Sequence, residues 1–501
     1  MRITFPNPLG PPITLNTEYL NSLYERLPLP TPGSSSSSSS RGGVTGGLGG
    51  LGMIMIGSIQ RRPLFKLLLV IFGLVVLFTI HPKPPFPPTY TQEWKNEASL
   101  ARTRGEGGVG EGKNGRYVKF DVPRGTGFNH QMLIYRRLQH HLAVLGNRSL
   151  AFEPYVEDDT YLPFVVSRWP WRSARIPLSA YISTVVSGFE KFYKSPRAVP
   201  AHYYRNVCPT YKEQTHTIQS EFQPEGDLQL VADGQSRIHQ IQVLLAGSEQ
   251  SCVRISGEPF DDDFFDSPAS LDLYDTFVKS PVMKHFSFSP TVLDIINRNL
   301  HSLAPEAYPY DLDAASRTTS TDVHKTSSWK HILAMHLRRG HGWEAVCEEK
   351  GRRAAPFVSF NKLPKLPGNE NVPPPESMVE ATRMGLYKAK CLPETLDIIA
   401  RARRMRKNHP LLKSVYILTD ADDSWIREIR MWLQSEGWDN VWIGRHDIYP
   451  DWQDKEVGVA VDMEIARRAG VFVGNGFSTT SSNIVLLRSR DGIHPDLTQF
   501  W

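Results

Sequence analysis

The last third of this chain alternates short apolar runs with amphipathic stretches, and that alternation constrains the fold more than any other feature. Ser414-Val-Tyr-Ile-Leu-Thr419 predicts a strand, residues 425–434 a helix, and Asn440-Val-Trp-Ile443 a strand. Residues 457–468 then predict a helix and 471–473 a strand; the turn Gly474-Asn-Gly476 and a helix over 478–487 follow. Strands separated by helices are joined by crossovers and pair in parallel. Such a sheet gathers its ligands at the carboxyl ends of its strands. The loops after these strands are therefore where chemistry is expected.

The sharpest of these loops follows Ile332-Leu-Ala-Met335, a short buried strand that empties into His336-Leu-Arg-Arg-Gly340. Arginine presents a rigid fork of donors that matches phosphate oxygens and stays charged. Glycine lets the backbone turn sharply. The competing reading is an arginine pair that balances surface carboxylates. Side chains alternate along a strand, so Arg338 is assigned to a ligand phosphate and Arg339, on the opposite face, to structure. His336 fits either a ligand contact or a buried structural histidine.

A second signal is Gly474-Asn-Gly-Phe-Ser-Thr-Thr-Ser-Ser482, five consecutive hydroxyls where a helix begins after a strand. Free backbone donors and the helix dipole favour an anion there, although serine and threonine also cap helices. Asp462, in the preceding helix, suits a ribose hydroxyl or a guanine edge, or simply the helix dipole. Asp420-Ala-Asp422 has the spacing of a metal-binding Asp-x-Asp, but a helix cap or loop anchor is favoured. Asp261-Asp-Asp263 has no strand context and reads as a solvated charge run.

Nearer the amino end, residues 117–122 alternate like a strand, and Arg124-Gly-Thr-Gly-Phe-Asn129 forms a tight loop. Ile134, Leu138, Leu142 and Leu145 then mark one helix face, which Asn129 is placed to cap, and 149–152 read as the next strand. Residues 290–302 predict a helix and 312–328 an exposed polar loop; no strand is assigned within 200–328.

Residues 64–80 carry one charge, Lys66, and span roughly 25 Å as a helix, at the thin end of what crosses a bilayer. Arg61 and Arg62 precede them, which orients the amino terminus to the cytosol. The expected organisation is a disordered cytosolic tail over 1–60, with its serine run, and a transmembrane signal anchor over 61–81. A Pro- and Gly-rich stem over 82–115 and lobes over 116–325 and 326–501 follow. The short span suits endoplasmic reticulum or Golgi membrane, as a single-pass type II protein with a lumenal catalytic region. Asn147-Arg-Ser149 is a glycosylation sequon on that side.

The net charge of +5 is spread along the 501 residues and does not argue for nucleic acid. Cys208, Cys252, Cys347 and Cys391 lack zinc spacing; in an oxidising lumen they make one or two disulfides, with three connectivities open for two. Gly47-Leu-Gly-Gly-Leu-Gly52 matches a dinucleotide fingerprint in letters only, without its strand and helix. No metal-ligand cluster, phosphate-binding P-loop or Ser/His/Asp set appears.

Three blocks, in order, resemble the GDP-fucose protein O-fucosyltransferase family. They are Arg124-Gly-Thr-Gly-Phe-Asn-His-Gln131, Ala334-Met-His-Leu-Arg-Arg-Gly340, and Asp462 with Gly474-Asn-Gly-Phe-Ser-Thr-Thr480, joined by Leu418-Thr-Asp420. The resemblance implies an α/β fold of two Rossmann-like, GT-B-like lobes with the active site in the cleft. It implies an inverting, metal-independent enzyme that moves fucose from GDP-fucose to a protein or glycan hydroxyl, with no cofactor beyond that donor. On it, Arg338 stabilises the departing diphosphate, and Asn129 lies near the fucose and acceptor. His336, Asp462, Ser478, Thr479 and Thr480 hold the nucleotide. Thr126 stands where members with a glutamate base carry that base, and His341 where an acidic residue is common. The catalytic base is therefore unassigned. The rival functions are a metal-dependent transferase using Asp420 and Asp422, and a non-catalytic nucleotide-sugar or glycan-binding protein.

Overall fold

The computed structural model describes residues 2–5, 13–16, 68–73, 86–100, 115–121, 127–129, 136–167, 169–183, 198–219, 224–305, 329–367 and 377–501. The chain forms two compact units, residues 1–86 with 160–162, and residues 87–159 with 163–501. In the smaller unit, Arg2–Phe5 pairs antiparallel with Ile13–Asn16, and residues 68–73 are helical. Among the described residues no helix is long and apolar enough to cross a membrane. Most of the expected tail and anchor, the expected loop over 312–328, and Thr126 and Gln131 lie outside the described residues.

The larger unit contains two five-stranded parallel sheets. The first uses β1 (Tyr117–Phe120), β2 (Ser149–Phe152), β3 (Ala198–Pro200), β4 (Glu213–Thr217) and β5 (Cys252–Ser256), in the order β4-β5-β1-β2-β3. The second uses β6 (Ile332–Leu337), β7 (Ser414–Thr419), β8 (Asn440–Ile443), β9 (Val471–Gly474) and β10 (Thr498–Phe500), in the order β8-β7-β6-β9-β10. In each sheet the chain starts on a central strand, builds to one side, then crosses to the other. That is Rossmann-like winding, and the ligand crevice of such a sheet opens where the direction reverses. In the second sheet this point lies between β6 and β9, whose carboxyl ends carry the arginine loop and the hydroxyl-rich loop.

All six β6 side chains are buried, as a strand covered on both faces requires. Leu333, Met335 and Leu337 pack in one cluster with Ile398, Ile426 and Ile429, while Ile332 and Ala334 join the larger cluster with Val461, Ile465 and Ile484. The first set belongs to helices Thr395–Asn408 and Asp423–Ser435, the second to α1 (Gly458–Arg468) and α2 (Thr479–Arg490). Ser478 caps α2 by accepting from Thr480 N–H, and Arg488 and Arg490 occupy its last turn. Arg488 donates to the carbonyls of Ala466, Arg467 and Ala469 at the end of α1, so the two helices are fixed end to end.

Three expectations are corrected. Residues 87–100, read as stem, are part of the fold: the helix Thr91–Ser99 docks through polar contacts, with Tyr90 Oη donating to Glu456 at 2.9 Å and Ser179 N–H to Glu97 at 2.9 Å. Residues 200–328 do contain strands, β4 and β5. The polar run Glu213-Gln-Thr-His-Thr217 is a partly exposed edge strand held by backbone pairing, so no apolar pattern marks it. The run Asp261-Asp-Asp263 opens a short helix, with Asp261 accepting from Phe264 N–H at 2.8 Å.

The four cysteines form the disulfides Cys208–Cys252 and Cys347–Cys391. Each closes a separation of 44 residues, and such loops stabilise by restricting the unfolded chain, by about 2–5 kcal/mol. Non-reducing peptide mapping should recover these two pairs. Serine at both Cys208 and Cys252, at the amino edge of the first sheet, should lower urea stability by about that amount.

Candidate active site

The arginine loop is built around a carboxylate from the neighbouring strand. Register pairs Leu337 with Thr419, so Arg338 and Asp420 leave β6 and β7 side by side. Asp420 Oδ1 accepts from the backbone N–H groups of Arg339 and Gly340, at 2.7 and 2.8 Å. Its Oδ2 pairs with Arg338 Nη1 at 2.8 Å. A Cβ on Gly340 would collide with Oδ2, so glycine here serves close approach as well as the turn.

The two arginines have separate environments. Arg338 keeps 45% of its side chain exposed and lies 5.6 Å from the Trp343 ring, with only Nη1 bonded among the described residues. Arg339 stacks on Trp425 at 4.3 Å and donates to the Pro393 carbonyl. Asp420 is the loop anchor the sequence favoured, but it caps no helix.

On the other side of the crevice, one hydroxyl joins both strand ends. Ser481 Oγ lies 2.8 Å from His336 Nδ1 and accepts from Asn475 N–H at 2.8 Å. His336 is buried, and burial together with the nearby Arg338 charge lowers its pKa to about 4; the imidazole is neutral at physiological pH. Asn475 Nδ2 donates to the Cys391 carbonyl at 2.6 Å, which also accepts from Trp343 Nε1 at 3.1 Å. The Cys347–Cys391 disulfide therefore sits beneath both loops. Of the five hydroxyls, Ser478 caps α2, Ser481 binds His336 and Asn475, and Ser482 accepts from Phe360 N–H at 3.1 Å. Thr479 and Thr480 are partly exposed at the helix start.

Asp462 sits in the first half of α1 and accepts from Tyr416 Oη of β7 at 2.6 Å. Burial pushes its carboxyl up to about 7, against the hydrogen bonds from Tyr416 and Tyr449 and the charge of Arg445. A Cβ on Gly444, just after β8, would strike Asp462 Oδ1. Asp462 is thus a carboxyl raised by burial, beside β7 and the end of β8.

Asn129 does not cap the next helix with its side chain. Nδ2 donates to Thr480 Oγ1 at 2.6 Å, and the Asn129 carbonyl accepts from Asn483 Nδ2 at 3.1 Å. Its Oδ1 is buried with no hydrogen-bond partner among the described residues. The first-lobe loop and α2 are therefore joined at the start of the hydroxyl-rich helix. The structure brings Arg338, His336, Ser478, Thr479, Thr480 and Asn129 around the β6/β9 reversal, with Asp462 along the same edge.

Residues 179–490 match the family model described as GDP-fucose protein O-fucosyltransferase. The chain belongs to the GDP-fucose protein O-fucosyltransferase family. By that membership it is a glycosyltransferase of the fucosyltransferase class. A search of curated proteins finds no match. Among solved structures it is similar to POFUT1 in complex with GDP-fucose, with 17% identity and a TM-score of 0.46, covering 78% of this chain and 99% of that one. POFUT1 in complex with GDP gives 17% identity and a TM-score of 0.47, over 78% and 98% of the two chains. A mutant of Arabidopsis thaliana FUT1 in complex with GDP gives 12% and 0.33, over 81% and 79%.

For this O-fucosyltransferase family member, sequence reading missed Tyr416, Tyr449 and Trp343 as parts of the site, and read Ser481 as an anion donor where it joins the two strand ends. Tyr416 lies inside an apolar strand and Ser481 inside a hydroxyl run, so neither carries a separate local signal. The two arginines should part in stability. Arg339→Ala should cost about 1–2 kcal/mol through the lost stack and hydrogen bond. Arg338→Ala, removing a half-exposed ion pair, should cost less than about 1 kcal/mol; urea unfolding of both variants checks the order.

Proposed function

We propose that the chain transfers fucose from GDP-fucose to a hydroxyl of a protein or glycan acceptor, inverting the anomeric carbon without a metal ion. The observation that carries this is Arg338. It is a half-exposed guanidinium whose other donors are unengaged among the described residues, beside a neutral histidine and near a hydroxyl-rich helix start. An arginine and a helix N-terminus supply the charge stabilisation that a departing diphosphate needs. Family membership directs the choice of donor.

In this mechanism the acceptor oxygen attacks the anomeric carbon from the face opposite GDP. The bond from that carbon to the β-phosphate oxygen breaks, and GDP departs with the electron pair. Arg338 meets the growing phosphate charge, and Thr479 and Thr480 donate to the diphosphate. Asp462 accepts from the guanosine, and Asn129 orients fucose or acceptor. The acceptor proton passes to the departing phosphate or to water. A metal ligand at Asp420 fits less well, because both its oxygens are already bonded to Arg338, Arg339 and Gly340.

The proposal includes a type II membrane protein with a lumenal catalytic region in the endoplasmic reticulum or Golgi. Its supports are the apolar run 64–80 behind Arg61 and Arg62, and two disulfides, which persist in oxidising compartments.

Arg338→Ala should lower kcat/KM for fucose transfer by about 10²–10³ with its circular dichroism unchanged; wild-type turnover in that variant contradicts the assignment. Binding of GDP without transfer to any acceptor would instead indicate a non-catalytic protein. A second test uses Asp462, which accepts from guanine with both oxygens only when ionised, and whose carboxyl is pushed up to about 7 by burial. GDP affinity by calorimetry should fall as pH drops from 8 to 6, because protonation removes one of the two acceptor oxygens. Asp462→Asn should flatten the profile, and the comparison cancels the phosphate's own ionisation.

A further inference from the structure

We infer that Asp420 is a positioning residue: its charge holds Arg338 in the conformation that meets the diphosphate. The inference rests on the functional reading above and adds a residue to it. One carboxylate here takes three donors, two from the backbone of the arginine loop and one from the guanidinium itself. The first two fix the loop. The third does no work for the loop, because Oδ1 alone accepts both backbone bonds.

The geometry shows what the third contact does. Arg338 meets Asp420 through Nη1 and lies 5.6 Å from the Trp343 ring, and the indole is itself tied by Nε1 to the Cys391 carbonyl. Nε and Nη2 of Arg338 have no hydrogen-bond partner among the described residues. A free arginine loses rotamer entropy when it is immobilised. The ion pair supplies part of that ordering before the donor arrives, which is how preorganised groups favour the transition state. The neighbouring glycine fits the same device, since a side chain at 340 would displace the Oδ2 that meets Arg338.

The test compares Asp420→Asn and Asp420→Ala in the full chain. Asparagine keeps an oxygen for the two backbone N–H groups but presents an uncharged amide to Arg338. Asp420→Asn should retain the wild-type melting temperature and lose about 10- to 100-fold in kcat, with KM for GDP-fucose moving less than about threefold. Asp420→Ala should lose melting temperature as well. In the Arg338→Ala background, Asp420→Asn should change kcat no further. Wild-type kcat in Asp420→Asn, beside an inactive Arg338→Ala, overturns the inference and leaves the functional reading intact. Full activity in Arg338→Ala overturns that reading instead. Transfer abolished by chelator and restored by manganese would make Asp420 a metal ligand and also overturn the inference.

Discussion

The site depends on the parallel pairing of β6 with β9. Leu333 opposes Val471, Ala334 opposes Phe472 and Met335 opposes Val473, so His336 and Gly474 reach the carboxyl edge level with each other. A slip of one residue would turn every side chain of β6 to the other face. His336 and Arg338 would then face the helices that Arg339 now faces. Size and polarity oppose that slip, because it would put Ala334 and His336 into the cluster that now holds Leu333 and Met335. Hydrophobic packing thus decides which arginine meets the crevice, and the Ser481 bonds to His336 and Asn475 lock the strand ends together.

Around this pairing the protein buries charge to fix geometry. Glu464 on α1 accepts from Arg467 and Arg468, and Arg467 pairs with Asp491 at the end of α2. Two charged arginines hold the carboxyl of Glu464 down to about 2 despite its burial. Desolvating such ions offsets much of their attraction, so the network is weak evidence for stability. Its geometric effect is plainer. Arg490 of α2 donates to the carbonyls of Met283 and Phe286 in the first-lobe portion, and Arg137 donates to Asn483 of α2 at 2.9 Å. The helix that starts with Thr479 and Thr480 is held along its length, and Asn129 is bound to its first turns. Beneath the arginine loop, the Cys391 carbonyl receives both Trp343 and Asn475.

The parts legible in sequence were those where one local pattern answers one physical demand. β6, β7 and β9 are buried on both faces, so their apolar runs show plainly, and the loops after them carry the polar residues that a ligand edge requires. Alternation along β6 was enough to separate Arg338 from Arg339. The illegible parts depend on distant partners. Asn129 resembles a local cap, but its hydrogen bond goes to Thr480, which no spacing rule reaches. The five hydroxyls read as one anion site, whereas Ser481 and Ser482 are bonded within the fold and Thr479 and Thr480 are partly exposed. Glu213-Gln-Thr-His-Thr217 has no apolar face because an edge strand needs none. The helix Thr91–Ser99 looks like linker because it docks through Tyr90 and Glu97 rather than an apolar stripe.

The central claim is that the β6/β9 edge, with Asp462 along it, binds a guanosine diphosphate sugar. The most direct measurement is calorimetric titration of the protein, without added metal, against GDP-fucose, GDP-mannose, GDP and a uridine diphosphate sugar. Saturable binding of GDP and GDP-fucose is expected, with weaker binding of GDP-mannose and none of the uridine nucleotide. Equal binding of uridine and guanosine nucleotides, or no binding of GDP at all, would contradict the claim.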